Sequence, residues 1–244
     1  MSAENHILSY LKTQGLKLPV SEIQIAATTL SAITRLSEPH LTDVLKIELP
    51  IDYTQTNTFF QGLLNPSGIT PFLHPTENQQ IVFLQICSLM DAVNEQHKFD
   101  YIAFYLFPKT QNQEKLEYSK RMQTLTFLAA TYDTEAEGQY LKELLIPNPA
   151  VFQVAQSGWS RVVENMQIWQ QTHQESEYIS RNDLISNEMA LPVYMHPDDE
   201  YVTGVLYGQN STSKHLGEDA QALLTALAIV IPAVLKNLNW QPIQ

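Results

Sequence analysis

The single cysteine of the chain is the first residue to consider for chemistry. Cys87 lies in the apolar run 81–93, which is apolar on more than one face and therefore predicts a largely buried helix. A buried thiol packs as a small apolar side chain, and the sequence places no cation at helical spacing that would favour the thiolate. One cysteine also cannot supply both an attacking and a resolving thiol. We therefore expect no thiol chemistry at Cys87.

The acidic turn 196–200 is the segment whose composition most resembles a metal site. Its sequence is His-Pro-Asp-Asp-Glu, and hard cations do bind carboxylate oxygens. An acidic turn between two strands is more often solvated, however, and the other histidines are too scattered for a zinc site. Neither a nucleophile elbow nor a glycine-rich phosphate loop is present. The sequence thus predicts no metal ligands, no catalytic residues and a protein that is not an enzyme.

A set of aromatic and polar residues is a better candidate for a ligand site. These residues fall on or beside predicted strands, and pockets lined by aromatic rings with a few polar groups commonly bind small molecules. The competing interpretation is that the aromatic side chains only fill the core. The predicted ligand-binding residues are Tyr105, Phe127, Phe152, Gln153, Trp159, Arg161, Glu188 and Tyr207.

The elements that must position these residues begin with helices. Apolar spacing predicts one helix around 7–11, ended by Gly15, and a second from Ser21 to the pair 38–39, where Pro39 stops it. Two further short helices are predicted at 41–47 and 54–64. The segment 66–75 is rich in proline and is interpreted as a linker between a helical N-terminal extension, 1–65, and a domain at 76–240.

The second part of the chain alternates between helix and strand signals. A capping box at Thr76 begins a buried helix. Strands follow at 101–107, 124–132 and 161–166, with helices at 135–145 and 150–157, and the clearest hairpin joins 189–194 to 201–207. An apolar helix covers about 218–238. Runs of strands joined by hairpins, with helices at both ends, indicate an α+β fold with an antiparallel sheet.

The segment 76–238 resembles a GAF domain. The residues that carry the resemblance are the strand 186–193 (SNEMALPV), the strand 202–206 (VTGVL) and the helix with Asp219, Leu223, Leu224 and Ala228. Upstream, 145–147 and 154–158 are similar to the mid-domain part of the family, where a short helix ends at a glycine. The resemblance implies a GAF-like, six-stranded antiparallel sheet with helices packed on it. It also implies terminal helices that pair with a second subunit, and a small-molecule pocket on the other sheet face.

Composition limits the partners. The net charge is −12 with no basic run, so neither nucleic acid nor an anionic membrane surface is expected as a partner. One cysteine and no signal peptide predict a cytoplasmic location. The apolar surplus of the final helix needs a cover, either the N-terminal helices or a second subunit in a homodimer.

Two functions remain open. The first is a non-catalytic sensory or regulatory domain, whose small-molecule ligand and protein partner the sequence leaves unidentified and whose cofactor is unknown. The alternative is a ligand-free interaction or dimerisation module with a filled pocket.

Overall fold

The structure is a computed structural model of the 244-residue chain. It describes residues 3–44, 77–97, 99–106, 126–132, 149–173, 185–196, 199, 201–211 and 215–237. The predicted linker 66–75, the predicted helices at 54–64 and 135–145, and Thr76 of the predicted capping box lie outside these ranges.

Apart from one short helix between the third and fourth strands, the described helices and strands follow one another in the order that the sequence indicated. The helices are α1 (Ala3–Gln14), α2 (Val20–Val44), α3 (Glu77–His97), α4 (Pro149–Ser157), α5 (Met166–Thr172) and α6 (Glu218–Leu235). The strands are β1 (Tyr101–Leu106), β2 (Thr126–Tyr132), β3 (Arg161–Val163), β4 (Ile185–Val193) and β5 (Gly204–Ser211). Gly15 and Gly158, which directly follow α1 and α4, have positive φ, as expected of glycines that end helices.

Two predicted boundaries are wrong. Helix α2 does not end at Pro39 but continues to Val44. A proline removes only one backbone hydrogen-bond donor, and the turns before and after it keep the helix intact. Strand β3 is shorter than predicted, since Asn165 caps a further helix, α5, by accepting a hydrogen bond from the Ile168 amide. Polar residues around Trp169 had hidden the pattern of this short helix.

In the described part of the chain, five antiparallel strands form one sheet in the order β2-β1-β5-β4-β3. This α+β arrangement, with helices on the sheet, is the GAF-like fold that the sequence resemblance implied, although the resemblance implied six strands. The short strand β3 lies at one edge and pairs with β4 through three residues only. Most of β4 and β5 is buried on both faces, so helices cover the sheet on either side.

The larger core lies on the sheet face that carries Phe104, Leu191 and Leu206. Helix α6 packs close to this face at Gly208, where a Cβ atom would lie only 2.8 Å from Leu224. Helices α1 and α2 contribute Ile7, Leu11, Ile23 and Leu30 to the same core. The described helices of the predicted extension therefore share one core with the sheet.

Helix α6 is mostly buried inside the fold. By length and composition it could cross a membrane, with a mean hydropathy of 1.6, but 72% of it is buried against the rest of the protein. Helices α2 and α3 pack against it, so its apolar surplus finds a cover within one chain. The apolar surface of α6 therefore no longer requires a second subunit to cover it. The homodimer through terminal helices stays a prediction.

Candidate functional site

The opposite face of the sheet carries a buried ion pair. Nη2 of Arg161 on β3 lies 2.7 Å from Oε1 of Glu188 on β4, and the two side chains are 6% and 0% exposed. The other terminal nitrogen, Nη1, donates a hydrogen bond of 2.8 Å to Oε1 of Gln153 on α4. Arg161 therefore joins the edge strand to both the central sheet and the helix that covers it.

Strand register brings these side chains together. Arg161 lies opposite Ala190, which in turn lies opposite Tyr207 on β5. Glu188 lies two residues before Ala190 and therefore points to the same face of the sheet. Its partner on β5 is Gln209, so the sheet lines up the guanidinium, the carboxylate and the tyrosine across three neighbouring strands.

Three buried tyrosines extend the cluster toward β1. The Tyr207 hydroxyl lies 2.9 Å from Oε2 of Glu188 and 2.7 Å from Oε1 of Gln209. The ring of Tyr207 meets that of Tyr101 edge to face, with centroids 6.1 Å apart. The hydroxyls of Tyr101 and Tyr105 lie 3.3 Å apart. Together with Arg161, Glu188 and Gln153, these residues form what we call the Arg161–Glu188 cluster: Gln153, Arg161, Glu188, Tyr101, Tyr105, Tyr207 and Gln209.

Helix α5 closes the cluster on the side of the edge strand. The guanidinium carbon of Arg161 lies 4.1 Å from the ring centroid of Trp169, a cation–π contact. The Trp169 ring also stacks on His173, with centroids 4.5 Å apart and planes within 8°. The aromatic ring thus holds the guanidinium in place while leaving its nitrogens to Glu188 and Gln153.

Burial controls the electrostatics of the cluster. Desolvation raises the pKa of Glu188 above its ordinary value, and the Arg161 charge and the hydrogen bonds from Tyr207 and Arg161 only partly oppose this shift. The carboxyl group is consequently easier to protonate than one in water. A ligand here would have to displace one of these pairings, with an anionic group at the guanidinium or a donor group at the carboxylate.

The eight predicted site residues have different outcomes. Five of them are in the cluster: Tyr105, Gln153, Arg161, Glu188 and Tyr207. Phe152 is half-buried and packs against the apolar cluster that contains the three tyrosines. Trp159 is 60% exposed and lies outside the cluster. The side chain of Phe127 lies outside the described part of the structure, as does that of Cys87.

Sequence reasoning missed two residues of the cluster, Tyr101 and Gln209, and the tryptophan that contacts it, Trp169. Tyr101 and Gln209 lie at alternate positions from Tyr105 and Tyr207, so strand periodicity alone would have found them once the inward face was chosen. Trp169 lies on the helix that was not predicted.

In the acidic turn 196–200, the His196 amide donates a hydrogen bond to the Asp199 carboxylate at 2.8 Å. In the described part of the chain, no three His, Cys, Asp or Glu residues group as metal ligands would.

Comparisons with known proteins find similarity in solved structures alone. No protein-family model and no curated protein matches the chain. The GAF domain of an Acinetobacter phosphoenolpyruvate-protein phosphotransferase is 18% identical, with 64% of this chain and 82% of that chain covered and a TM-score of 0.42. A free methionine-R-sulfoxide reductase from Neisseria meningitidis, in complex with its substrate, is 15% identical, with 64% and 78% covered and a TM-score of 0.43. A type II free methionine-R-sulfoxide reductase from Thermoplasma acidophilum is 9% identical, with 67% and 97% covered and a TM-score of 0.47.

The two reductases correct one prediction. They are enzymes with a similar fold, and they contradict the prediction that this chain is not an enzyme. At these identities and TM-scores, the likenesses carry no argument about the ligand or the reaction of this chain. The chain has a GAF-like α+β fold whose second sheet face holds a buried cluster of charged and aromatic side chains.

Proposed function

We propose that the chain is a GAF-like sensory domain that binds a small polar molecule at the Arg161–Glu188 cluster and signals to a partner protein. The supporting observation is the convergence of five predicted ligand-binding residues on one buried, charged cluster. Burying a charged pair is costly, and replacement by apolar residues is often neutral or stabilising. The presence of a buried ion pair here therefore favours a functional role in addition to any contribution to stability.

The chemistry of the cluster limits the ligand. An anionic or strongly accepting group would compete with Glu188 and Gln153 for the Arg161 guanidinium. A donor group on the same molecule would pair with the Glu188 carboxylate, and its apolar part would lie against the tyrosine rings. The ligand is thus a small molecule that carries an acceptor and a donor within reach of one another.

Native mass spectrometry of gently purified protein tests this function. A small molecule that dissociates on denaturation gives the ligand mass directly, and its binding is then measured by calorimetry in two matched variants. Tyr207→Phe removes a hydroxyl from the cluster, whereas Thr225→Val removes a buried hydroxyl of α6 that donates to the Gln221 carbonyl at 2.7 Å. We expect Tyr207→Phe to weaken binding about tenfold or more, the value of one hydrogen bond to a charged group, and Thr225→Val to leave it unchanged. Equal affinities in both variants would place the ligand elsewhere.

A second function is favoured by the pairs that the cluster residues form among themselves. Glu188 contacts Arg161 and Tyr207, and Gln153 contacts Arg161, so both charged groups have partners within the protein. This arrangement fits an interaction module with a filled pocket. Bare polypeptide in the native spectrum, with no binding across a panel of amino acids, nucleotides and carboxylates, would favour the module over the sensor.

A further inference from the structure

One residue of the N-terminal helix is hydrogen-bonded to the turn that precedes Arg161. Gln14, the last residue of α1, is 5% exposed and contacts the turn 158–160 three times. Its Nε2 donates to the Gly158 carbonyl at 3.2 Å, and its Oε1 accepts from the Ser160 amide at 2.6 Å. The backbone carbonyl of Gln14 accepts from the Ser160 hydroxyl at 2.9 Å.

This three-residue turn lies between two elements that carry cluster residues. It follows α4, which carries Gln153, and it directly precedes Arg161 at the start of β3. The Gln153–Arg161 hydrogen bond joins the two elements on either side of the turn, and the hydrogen bonds of Gln14 hold the turn itself. Tyr194 adds a hydrogen bond of 2.7 Å to the Gly158 carbonyl. A displacement of the Arg161 backbone would therefore move Ser160, and with it the Ser160 amide that donates to Gln14.

The surroundings allow such a displacement. Strand β3 is an edge strand held by three residue pairs, so less of the sheet resists its movement than that of a central strand. An open cavity of about 650 Å³ borders Gln14, Ser160 and Trp169, which leaves room for the turn and α1 to separate. Past the first residue of β3, α1 also contacts β4 through Tyr10, whose hydroxyl donates to the Pro192 carbonyl at 2.8 Å.

We infer that α1 is the output element of the domain and that Gln14 is the positioning residue that couples it to the Arg161–Glu188 cluster. A ligand that takes Arg161 away from Glu188 shifts the turn 158–160, weakens the Gln14 contacts and loosens α1. The signalling role rests on the proposed function, whereas the coupling itself is a property of the ligand-free protein.

Hydrogen exchange of the full, ligand-free chain tests the coupling. The readout is the exchange rate of amides in peptides covering 7–16, in wild type and in Glu188→Gln. We expect exchange there to rise between about 5-fold and 150-fold, the usual size of coupling between two sites. In a Gln14→Ala background, α1 should already exchange fast, and adding Glu188→Gln should change nothing further. Tyr207→Phe serves as the second cluster variant if Glu188→Gln does not fold.

A control separates coupling from loss of global stability. Val93→Ala truncates a fully buried residue of α3 in the other core, without touching the cluster. If Val93→Ala speeds exchange at 7–16 as much as the cluster variant does at equal loss of stability, the inference fails. It also fails if α1 exchange is the same in wild type and Glu188→Gln, or if the effect persists without Gln14.

The two proposals can fail separately. If the exchange experiment shows coupling but the native spectrum shows no ligand, the sensory function is wrong and the coupling through Gln14 stands. A ligand that binds at the cluster with no change at α1 would keep the sensor and overturn the output role of α1.

Discussion

The guanidinium of Arg161 and the carboxylate of Glu188 lie 2.7 Å apart where β3 pairs with β4, and almost no solvent reaches either side chain. Because β3 has only three residues, this ion pair is also a main side-chain link between the edge strand and the rest of the sheet. The same contact therefore supports the local fold and defines the candidate ligand site. Its energetic and its functional roles can be separated by the variants below.

Removing one partner of the pair should be costly. Arg161→Met leaves Glu188 buried without its counter-charge, so we expect the free energy of unfolding to fall by about 3–5 kcal/mol. Adding Glu188→Gln to that variant removes the stranded charge and should recover part of the loss. Urea denaturation of wild type, both single variants and the double variant gives the coupling energy. Additive losses would mean that the two side chains do not interact.

Stability should depend on the protonation of Glu188. Its pKa is raised above 4.5 in the folded protein, so the fold binds this proton more tightly than the unfolded chain does. The resulting stabilisation is fully present below the unfolded pKa and is lost as the pH rises through the folded pKa. We therefore expect wild type, relative to Glu188→Gln, to be more stable at about pH 4 than at about pH 7. Urea denaturation of both proteins across that range measures the difference, and the opposite trend would contradict the raised pKa.

Two glycines with similar backbones allow a matched test of the turn beside Gln14. Gly158 has φ +70° and a Cβ atom there would lie 2.8 Å from the Tyr194 hydroxyl, whereas Gly15 has φ +66° and open space around it. Gly15→Ala should cost about 1–2 kcal/mol of unfolding free energy from backbone strain alone. Gly158→Ala should cost more, because the methyl group displaces the Tyr194 hydroxyl from the Gly158 carbonyl.

Thermal and urea unfolding of both glycine variants gives the two losses. Combining Gly158→Ala with Tyr194→Phe removes the crowded hydroxyl, so part of the excess loss should return. Equal losses for Gly15→Ala and Gly158→Ala would show that the turn accommodates the methyl group.

The close approach of α6 to the sheet should also be sensitive to one methyl group. Gly208→Ala places a Cβ atom 2.8 Å from Cδ1 of Leu224 in a filled core, where overpacking typically costs about 1–3 kcal/mol. The shorter side chain in Leu224→Val should offset part of that cost. Calorimetric unfolding of the single and double variants checks this, and an unchanged Gly208→Ala stability would mean that Leu224 moves aside freely.

The sequence by itself determined the element types and the sheet class. Apolar spacing located α1, α3 and α6, and glycines marked the ends of α1 and α4. Strand alternation located β4 and β5, whose hairpin predicted an antiparallel sheet. These features depend on residues close together in the chain, so periodicity and helix caps reveal them. The same local rules misplaced the end of α2 and missed α5, because packing and a single asparagine cap decided those boundaries.

Only the tertiary structure decided which candidate residues meet. Arg161, Glu188 and Tyr207 were each predicted to bind a ligand, but whether they come together depends on the register of β3, β4 and β5. Trp159 had the same aromatic character and came to lie in an exposed turn. Gln14 gave no signal at all, since a glutamine at a helix end is ordinary. Its role follows from the docking of α1 beside Gly158, and no local pattern encodes a contact between residues 144 positions apart.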